Sequence, residues 1–229
     1  MGLLRRQPGI FCHGEIFNPA TLQAKTAPQE WRIENQAELL ALRAADPRAF
    51  LSRMSQIRFG CALVGFKMMA SHNPQIMAQV LHDATMRKIV LSRQNLLAQY
   101  ASDCAARESG TYGGTGEKPL VSFHEKAFGR FLESTRAFYE RTEETLRMTG
   151  QEYFSLRLDQ INEPGSVAAL LKFIGSEVVT PIFHQPPENR ATADVLARFR
   201  NPETALAFLE RQKALHWRFE KERRHETAS

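Results

Sequence analysis

Short apolar segments and helical patterns alternate along the first half of the chain. Three apolar segments, at Ile10–Cys12, residues 59–69 and Lys88–Ser92, are bounded by glycine, proline or polar residues and predict buried strands. Apolar residues at helical spacing predict helices over residues 36–54 and 74–84, and a proline divides the first of these in two. This alternation predicts an α/β fold with a parallel sheet, because parallel strands need crossover connections.

The second half of the chain is predicted to be largely helical. Helices are expected over residues 95–108 and 122–148, followed by a strand at Tyr153–Arg157 and a helix with Ser166 as its N-cap. From residue 192 onward the pattern is again helical and amphipathic. Since no long flexible linker divides the chain, we expect residues 1–229 to form a single domain.

Composition narrows the class of protein. The 229 residues carry a net charge of +5, which indicates either simple solubility or an anionic partner. Basic and acidic residues are interleaved, so we expect a small anionic molecule rather than nucleic acid. No apolar run approaches the roughly 18 residues of a transmembrane helix, and the three cysteines lack disulfide or zinc spacing. We therefore expect a cytoplasmic protein with no membrane span and, because its seven histidines are scattered, no metal.

The first two predicted strands are followed by side chains that suit proton and group transfer. His13 and Glu15 follow the first strand and Lys67 lies at the end of the second. Ligands bind at the carboxyl ends of parallel strands. Glu15 is a candidate general base for an acceptor hydroxyl, with His13 as the other candidate. Lys67 is a candidate to stabilise negative charge on a transferred group. The alternatives are an exposed carboxylate, a structural histidine and a lysine that extends to solvent.

The third strand leads into a helix at Arg93, which suits an anion site. Free backbone N–H groups and the positive end of the helix dipole lie at such a junction, and a guanidinium binds phosphate through two hydrogen bonds. Ser102, two turns further on, can add a hydroxyl. The alternative is an arginine that pairs with a nearby carboxylate. The glycine-rich residues 113–118 fail the G-x-x-x-x-G-K-[ST] pattern and predict an ordinary loop.

Five segments carry a resemblance to a known family. They are residues 7–19 (QPGIFCHGEIFNP), 65–69 (GFKMM), 89–102 (IVLSRQNLLAQYAS), 153–175 and 198–202 (RFRNP). Together they resemble the PAPS-dependent sulfotransferases, especially the bacterial nodulation-type and sulfolipid-type branch, where PAPS is 3′-phosphoadenosine 5′-phosphosulfate. The most specific of them is residues 89–102, in which Arg93 and Ser102 fall on the arginine and serine that bind the 3′-phosphate, and Gln99 also fits.

The resemblance implies a fold, a reaction and roles for individual residues. The fold is a P-loop-NTPase-like three-layer fold with a parallel sheet. The reaction is transfer of a sulfuryl group from PAPS, without a metal, to a hydroxyl or amine of a small-molecule, carbohydrate or lipid-linked acceptor. Glu15 is implied as the base and Lys67 as the cation near the transferred group. Arg93 and Ser102 are implied as the 3′-phosphate site.

The chain also departs from the family pattern. The family's first strand and its R-S-G-[ST]-[ST]-L loop, which cradles the 5′-phosphosulfate, are missing, so we expect an N-terminally truncated domain. Leu158 and Asp159 replace the usual Tyr-Glu pair. Two alternatives therefore stay open: a non-catalytic module that binds adenosine 3′,5′-bisphosphate or a partner, and a different P-loop-like transferase. A predicted helix over residues 204–224 packs on the body of the chain or on a second copy, giving a possible homodimer.

Overall fold

The chain folds into two compact units, each assembled from several stretches of sequence. The structure is a computed structural model that describes residues 2–18, 33–110, 118–178, 180–183 and 194–220. The first unit comprises Met1–Ile89, Glu144–Phe154 and Pro164–Phe183. The second comprises Val90–Glu143, Ser155–Glu163 and His184–Ser229. Helices and small parallel sheets together place the protein in the α/β class, as predicted.

The described residues contain four strands and seven α-helices. In chain order they are β1 (Ile10–Cys12), α1 (Gln36–Ala45), α2 (Pro47–Gln56), β2 (Leu63–Gly65), α3 (Pro74–His82), β3 (Lys88–Ser92), α4 (Leu96–Ser109), α5 (Glu125–Met148), β4 (Tyr153–Arg157), α6 (Pro164–Phe173) and α7 (Pro202–Arg211). The strands form two separate parallel pairs, β1 with β2 and β3 with β4. The strands β1, β3 and β4 and the helices α3 and α4 lie close to the ranges that the sequence predicts.

The β1–β2 pair is the element of the first unit that positions its polar side chains. Cys12 lies opposite Gly65 in parallel register. The ladder continues beyond both strands, because the His13 amide donates to the Gly65 carbonyl at 2.8 Å and the Lys67 amide donates to the Gly14 carbonyl at 2.7 Å. The residues that follow the two strands are therefore held side by side.

The second strand is shorter than the sequence predicts. Within the apolar segment 59–69, a strand was expected to end near Lys67, but β2 covers only Leu63–Gly65. Phe59 and Gly60 both have positive φ angles, 47° and 75°, so the chain turns there and cannot extend. Lys67 was predicted at the end of this strand and lies two residues beyond it.

Two apolar clusters stabilise the first unit. One packs the ends of β1 and β2 against α6, with Ile10 and Cys12 contacting the fully buried Val167 and Leu171. The other packs the segment after β1 onto α1, α2 and α3; its buried members are Ile16, Phe17, Ile33, Leu39, Phe50, Leu51, Met54 and Ile76. Burial of this apolar area is the main source of stability for a unit with so little sheet.

The core of the second unit is aromatic. Phe128 of α5 is completely buried and contacts the rings of Tyr100, Phe123 and Trp217 at centroid distances between 5.1 and 6.1 Å. Phe123 and Phe128 are thus core residues, and the partly buried Phe131 packs against them. The helix itself begins at Glu125 rather than residue 122.

Two helix predictions in the second half were wrong. Ser166 lies inside α6, because Pro164 already occupies the first helical turn, where a missing N–H costs nothing. The expected helix over residues 204–224 ends at Arg211, and Lys213 then adopts a left-handed φ of 52°. A short 3₁₀ turn, Leu215–Trp217, follows and buries Trp217.

Some sequence-based expectations lie outside the described residues. The glycine-rich residues 113–118, predicted to form a loop, fall there almost entirely. Among the helices that the structure does describe, none is long and apolar enough to cross a membrane.

Candidate functional site

Glu15 and Lys67 form an ion pair beyond the carboxyl ends of β1 and β2. Lys67 Nζ donates to Glu15 Oε1 at 2.7 Å. Asn18 Nδ2 donates to the second carboxylate oxygen at 3.3 Å. Both charged side chains are about one-third exposed, 39% for Lys67 and 33% for Glu15, so a small ligand can reach them.

Two arginines lie against the backbone around Glu15. Arg43 Nη1 donates to the carbonyl oxygens of Ile16 and Asn18, at 2.8 and 2.7 Å. Gly14 has a φ of 94°, and a Cβ placed there would come within 3.0 Å of the Arg5 guanidinium. This position therefore favours glycine both for its backbone conformation and for the space that Arg5 takes.

Electrostatics keep Glu15 in its ionised form. Burial alone raises the pKa of the Glu15 carboxyl, but the hydrogen bond and positive charge of Lys67 outweigh it, with help from Asn18. The net pKa is lowered. A carboxylate that is ionised, oriented and partly exposed has the properties required of a general base.

His72 is a neighbour of Glu15 that sequence reasoning missed. Its side chain is only 4% exposed, and Nε2 lies 3.8 Å from Glu15 Oε2. The Met69 amide donates to Nδ1 at 3.2 Å, which leaves the proton of the neutral ring on Nε2, facing the carboxylate. Burial lowers the pKa of His72 although the charge of Glu15 opposes this shift. The only signal in the sequence is its place directly before Asn73, which caps α3.

His13 occupies a different environment from Glu15. The residue is 2% exposed and its ring meets Phe11 edge-on, with centroids 4.6 Å apart. Neither ring nitrogen reaches a partner at hydrogen-bonding geometry among the residues described. Burial lowers the pKa of His13 to about 4, because the opposing effect of the backbone oxygens of Met54 and Ile57 is smaller.

The burial of His13 predicts acid sensitivity of the fold. Between pH 6.5 and about 4 the unfolded chain binds a proton at His13 that the folded chain does not, so stability falls as the pH falls. The slope from this group reaches about 1.4 kcal/mol per pH unit and vanishes below its folded pKa. We expect His13→Gln to have a flatter profile than the wild type in urea unfolding over this range. An unchanged slope, or an NMR titration of His13 near pH 6.5, would contradict the assignment.

In the second unit, Arg93 and Ser102 lie together as the sequence predicts. Arg93 Nη1 donates to Ser102 Oγ at 3.3 Å across the first turns of α4. Asn95 caps this helix, accepting from the Ala98 amide at 2.9 Å. Gln99 also lies on α4, and the oxygen of its side-chain amide is buried with no partner among the residues described.

Arg93 and Arg198 converge on a single carboxylate, that of Glu220. Arg93 Nε donates to Glu220 Oε1 at 2.9 Å, and Nη2 of the same guanidinium binds the same oxygen. Arg198 Nη2 donates to Oε2 at 2.8 Å. Burial raises the pKa of Glu220, but the two arginines outweigh it and the net pKa is lowered. The three side chains are 15 to 22% exposed, and together with Ser102 we call them the two-arginine site.

The position of Arg198 follows from a backbone bridge. Val121 pairs with Phe199 in parallel fashion, with the Val121 amide donating to the Arg198 carbonyl at 3.1 Å. Sequence reasoning placed Arg198 only in a family-like closing segment and gave it no role. The pairing of Arg93 with a carboxylate, left open as an alternative, is what the structure shows.

Within the described part of the chain, no cluster of three or more His, Cys, Asp or Glu side chains is arranged to hold a metal ion. The described residues bring together two sets of ion pairs: Glu15 with Lys67 in the first unit, and Glu220 with Arg93 and Arg198 in the second. No protein-family model, curated protein or solved structure matches the chain.

Proposed function

We propose that this chain is a sulfotransferase-like protein, with a P-loop-NTPase-like three-layer fold, that transfers a sulfuryl group from PAPS to an acceptor. The acceptor is a hydroxyl or amine of a carbohydrate or lipid-linked molecule. The observation that carries the proposal is the two-arginine site, where Arg93 and Arg198 already hold a carboxylate. Two guanidinium groups and a hydroxyl at one point suit a phosphate dianion. The resemblance of residues 89–102 to the 3′-phosphate element points to the same ligand.

The Glu15–Lys67 pair supplies the acceptor chemistry in this proposal. The acceptor oxygen attacks sulfur, the bond between sulfur and the 5′-phosphate oxygen breaks, and adenosine 3′,5′-bisphosphate leaves. Glu15 takes the proton of the attacking hydroxyl. An ammonium group has three N–H donors, so Lys67 can hold Glu15 with one and bind a sulfuryl oxygen with another. Transfer of this kind depends on positioning and positive charge and needs no covalent intermediate on the protein.

A ligand-binding experiment tests the proposal. Adenosine 3′,5′-bisphosphate at 100 times its dissociation constant should raise the unfolding temperature by about 5–10 °C, since saturation to that level adds about 2.7 kcal/mol. AMP is the matched control because it lacks the 3′-phosphate and keeps every other group. We expect a clearly smaller shift with AMP. Equal shifts with the two nucleotides, or none with either from a cooperatively folded protein, would contradict the proposal.

A non-catalytic module that binds the bisphosphate is the second candidate. The observation that favours it is that Arg93, Ser102, Arg198 and Glu220 all belong to the second unit, so phosphate binding requires no group of the first. The sulfotransferase and the non-catalytic module are distinguished by whether the protein turns over PAPS. Release of bisphosphate from PAPS that depends on added sugar or glycolipid supports transfer, whereas binding without release supports the module.

A further inference from the structure

The carboxylate of Glu220 occupies the centre of the two-arginine site. One of its oxygens is bound by Arg93 and the other by Arg198, so both guanidinium groups point their N–H donors at the same small anion. A phosphate group offers the same arrangement of oxygens on one central atom. The site is thereby shaped for an oxyanion of this size, and Glu220 is the group that fills it.

The charges at the two-arginine site suit an anion with more negative charge than one carboxylate. Arg93 and Arg198 contribute two positive charges and Glu220 one negative charge, so these three groups carry a net charge of +1. A phosphate monoester carries a charge of about −1.5 to −2 near neutral pH. Its charge is closer than that of a single carboxylate to the two positive charges of these arginines. Exchange of one anion for the other also leaves neither arginine as an uncompensated, partly buried charge.

The segment that carries Glu220 is tethered close to the site. Asn95 Nδ2 donates to the carbonyl oxygens of Trp217 and Phe219, at 2.9 and 3.2 Å. Asp194 forms an antiparallel bridge with Phe219, and the Val195 amide donates to the Arg218 carbonyl at 2.7 Å. Trp217 is buried, whereas the Phe219 side chain is largely exposed. These contacts hold residues 217–219 in place and keep the carboxylate of Glu220 at high local concentration.

We propose that Glu220 is a built-in competitor that occupies the phosphate site and must leave it before a phosphate ester binds. This regulation rests on the proposed function, because the ligand it competes with is the 3′-phosphate of the nucleotide. Removing the negative charge at residue 220 takes away the carboxylate with which the ligand competes for the two arginines. The competition lowers affinity for every phosphate that uses the site, whatever the rest of the ligand is.

Isothermal titration with inorganic phosphate and with adenosine 3′,5′-bisphosphate tests the competitor. We expect Glu220→Gln to bind both ligands about 10-fold more tightly than the wild type, as expected for loss of a charged hydrogen-bonded competitor. Glu108→Gln is the matched control. Glu108 also pairs with an arginine, Arg200, at 2.5 Å in the same unit, and its loss changes net charge equally. Its affinities should equal those of the wild type.

The outcomes separate the competitor from the proposed function. If the wild type, Glu220→Gln and Glu108→Gln bind the bisphosphate with equal affinity, Glu220 is not a competitor, whereas the proposed function is not contradicted. Tighter phosphate binding by Glu220→Gln, with the bisphosphate no better than inorganic phosphate, supports the competitor and rejects the nucleotide. Glu220→Asp keeps the charge on a shorter side chain, so its affinity should lie between the two. A folded Glu220→Gln that binds neither ligand overturns both.

Discussion

Replacing Arg93 by alanine should lower the affinity for adenosine 3′,5′-bisphosphate by about 100-fold while the chain stays folded. Arg93 donates two hydrogen bonds to the Glu220 carboxylate that occupies the site and one to Ser102. We therefore expect it to donate several hydrogen bonds to a bound phosphate. A hydrogen bond to a charged group contributes about 1.5–3 kcal/mol, and loss of a bidentate pair reaches the upper part of that range. Titration of wild type and variant measures the difference.

Two control variants make this result specific. Arg200→Ala removes an arginine whose side chain is 51% exposed in its pair with Glu108, and it should leave the affinity unchanged. Arg93→Lys keeps the charge but loses the planar fork, so it should restore only part of the binding. Unchanged affinity in Arg93→Ala, with circular dichroism like that of the wild type, would show that Arg93 is not part of the proposed phosphate site.

Local signals explain which elements the sequence predicts correctly. Asn73 and Pro74 form a cap and first turn whose chemistry depends on neighbours only, and α3 begins where they indicate. The division between α1 and α2 is equally local, because Asp46 accepts hydrogen bonds from the amides of Arg48 and Ala49. Short apolar runs with β-branched residues were likewise enough to identify β3.

The arrangement of the strands depends on contacts that no local pattern specifies. The described strands form two pairs, and the expectation of a three-layer fold around one parallel sheet stays a proposal. The end of α7 also depends on tertiary contacts. The amphipathic pattern continues past Arg211, but the helix ends there and Trp217 packs into the aromatic core. Tertiary burial decided this boundary against the local pattern.

Some contacts of the candidate site residues were predictable from the sequence and others were not. The proximity of Glu15 and Lys67 followed from adjacent parallel strands, and the structure brings the two side chains to 2.7 Å. By contrast, Glu220 is 127 residues from Arg93, and nothing in either segment marks the other as its partner. His72 was missed because its contact with Glu15 depends on how the turn before α3 folds.

Replacing Glu15 by glutamine should lower turnover of PAPS by about 100- to 10,000-fold with little change in bisphosphate affinity, as expected for loss of a general base. The amide cannot accept the proton of the acceptor hydroxyl, yet it preserves the size of the side chain and a hydrogen bond to Lys67. Initial rates of bisphosphate release, with saturating sugar or glycolipid acceptor, measure turnover. Titration of the same variant measures binding.

The pH profile distinguishes a base from a structural carboxylate. A carboxylate acts as a general base only when it is ionised. Because the pKa of Glu15 is lowered, we expect activity to be lost only below pH 4.5, the ordinary pKa of a glutamate carboxyl. Lys67→Met removes the hydrogen bond and the positive charge that counteract burial, so the pKa of Glu15 should rise. The loss of activity at acid pH should then begin at a higher pH than in the wild type. Turnover that survives Glu15→Gln would exclude Glu15 as the base. His13 would then be the remaining candidate, and its pKa of about 4 would place its own acid limb near that value.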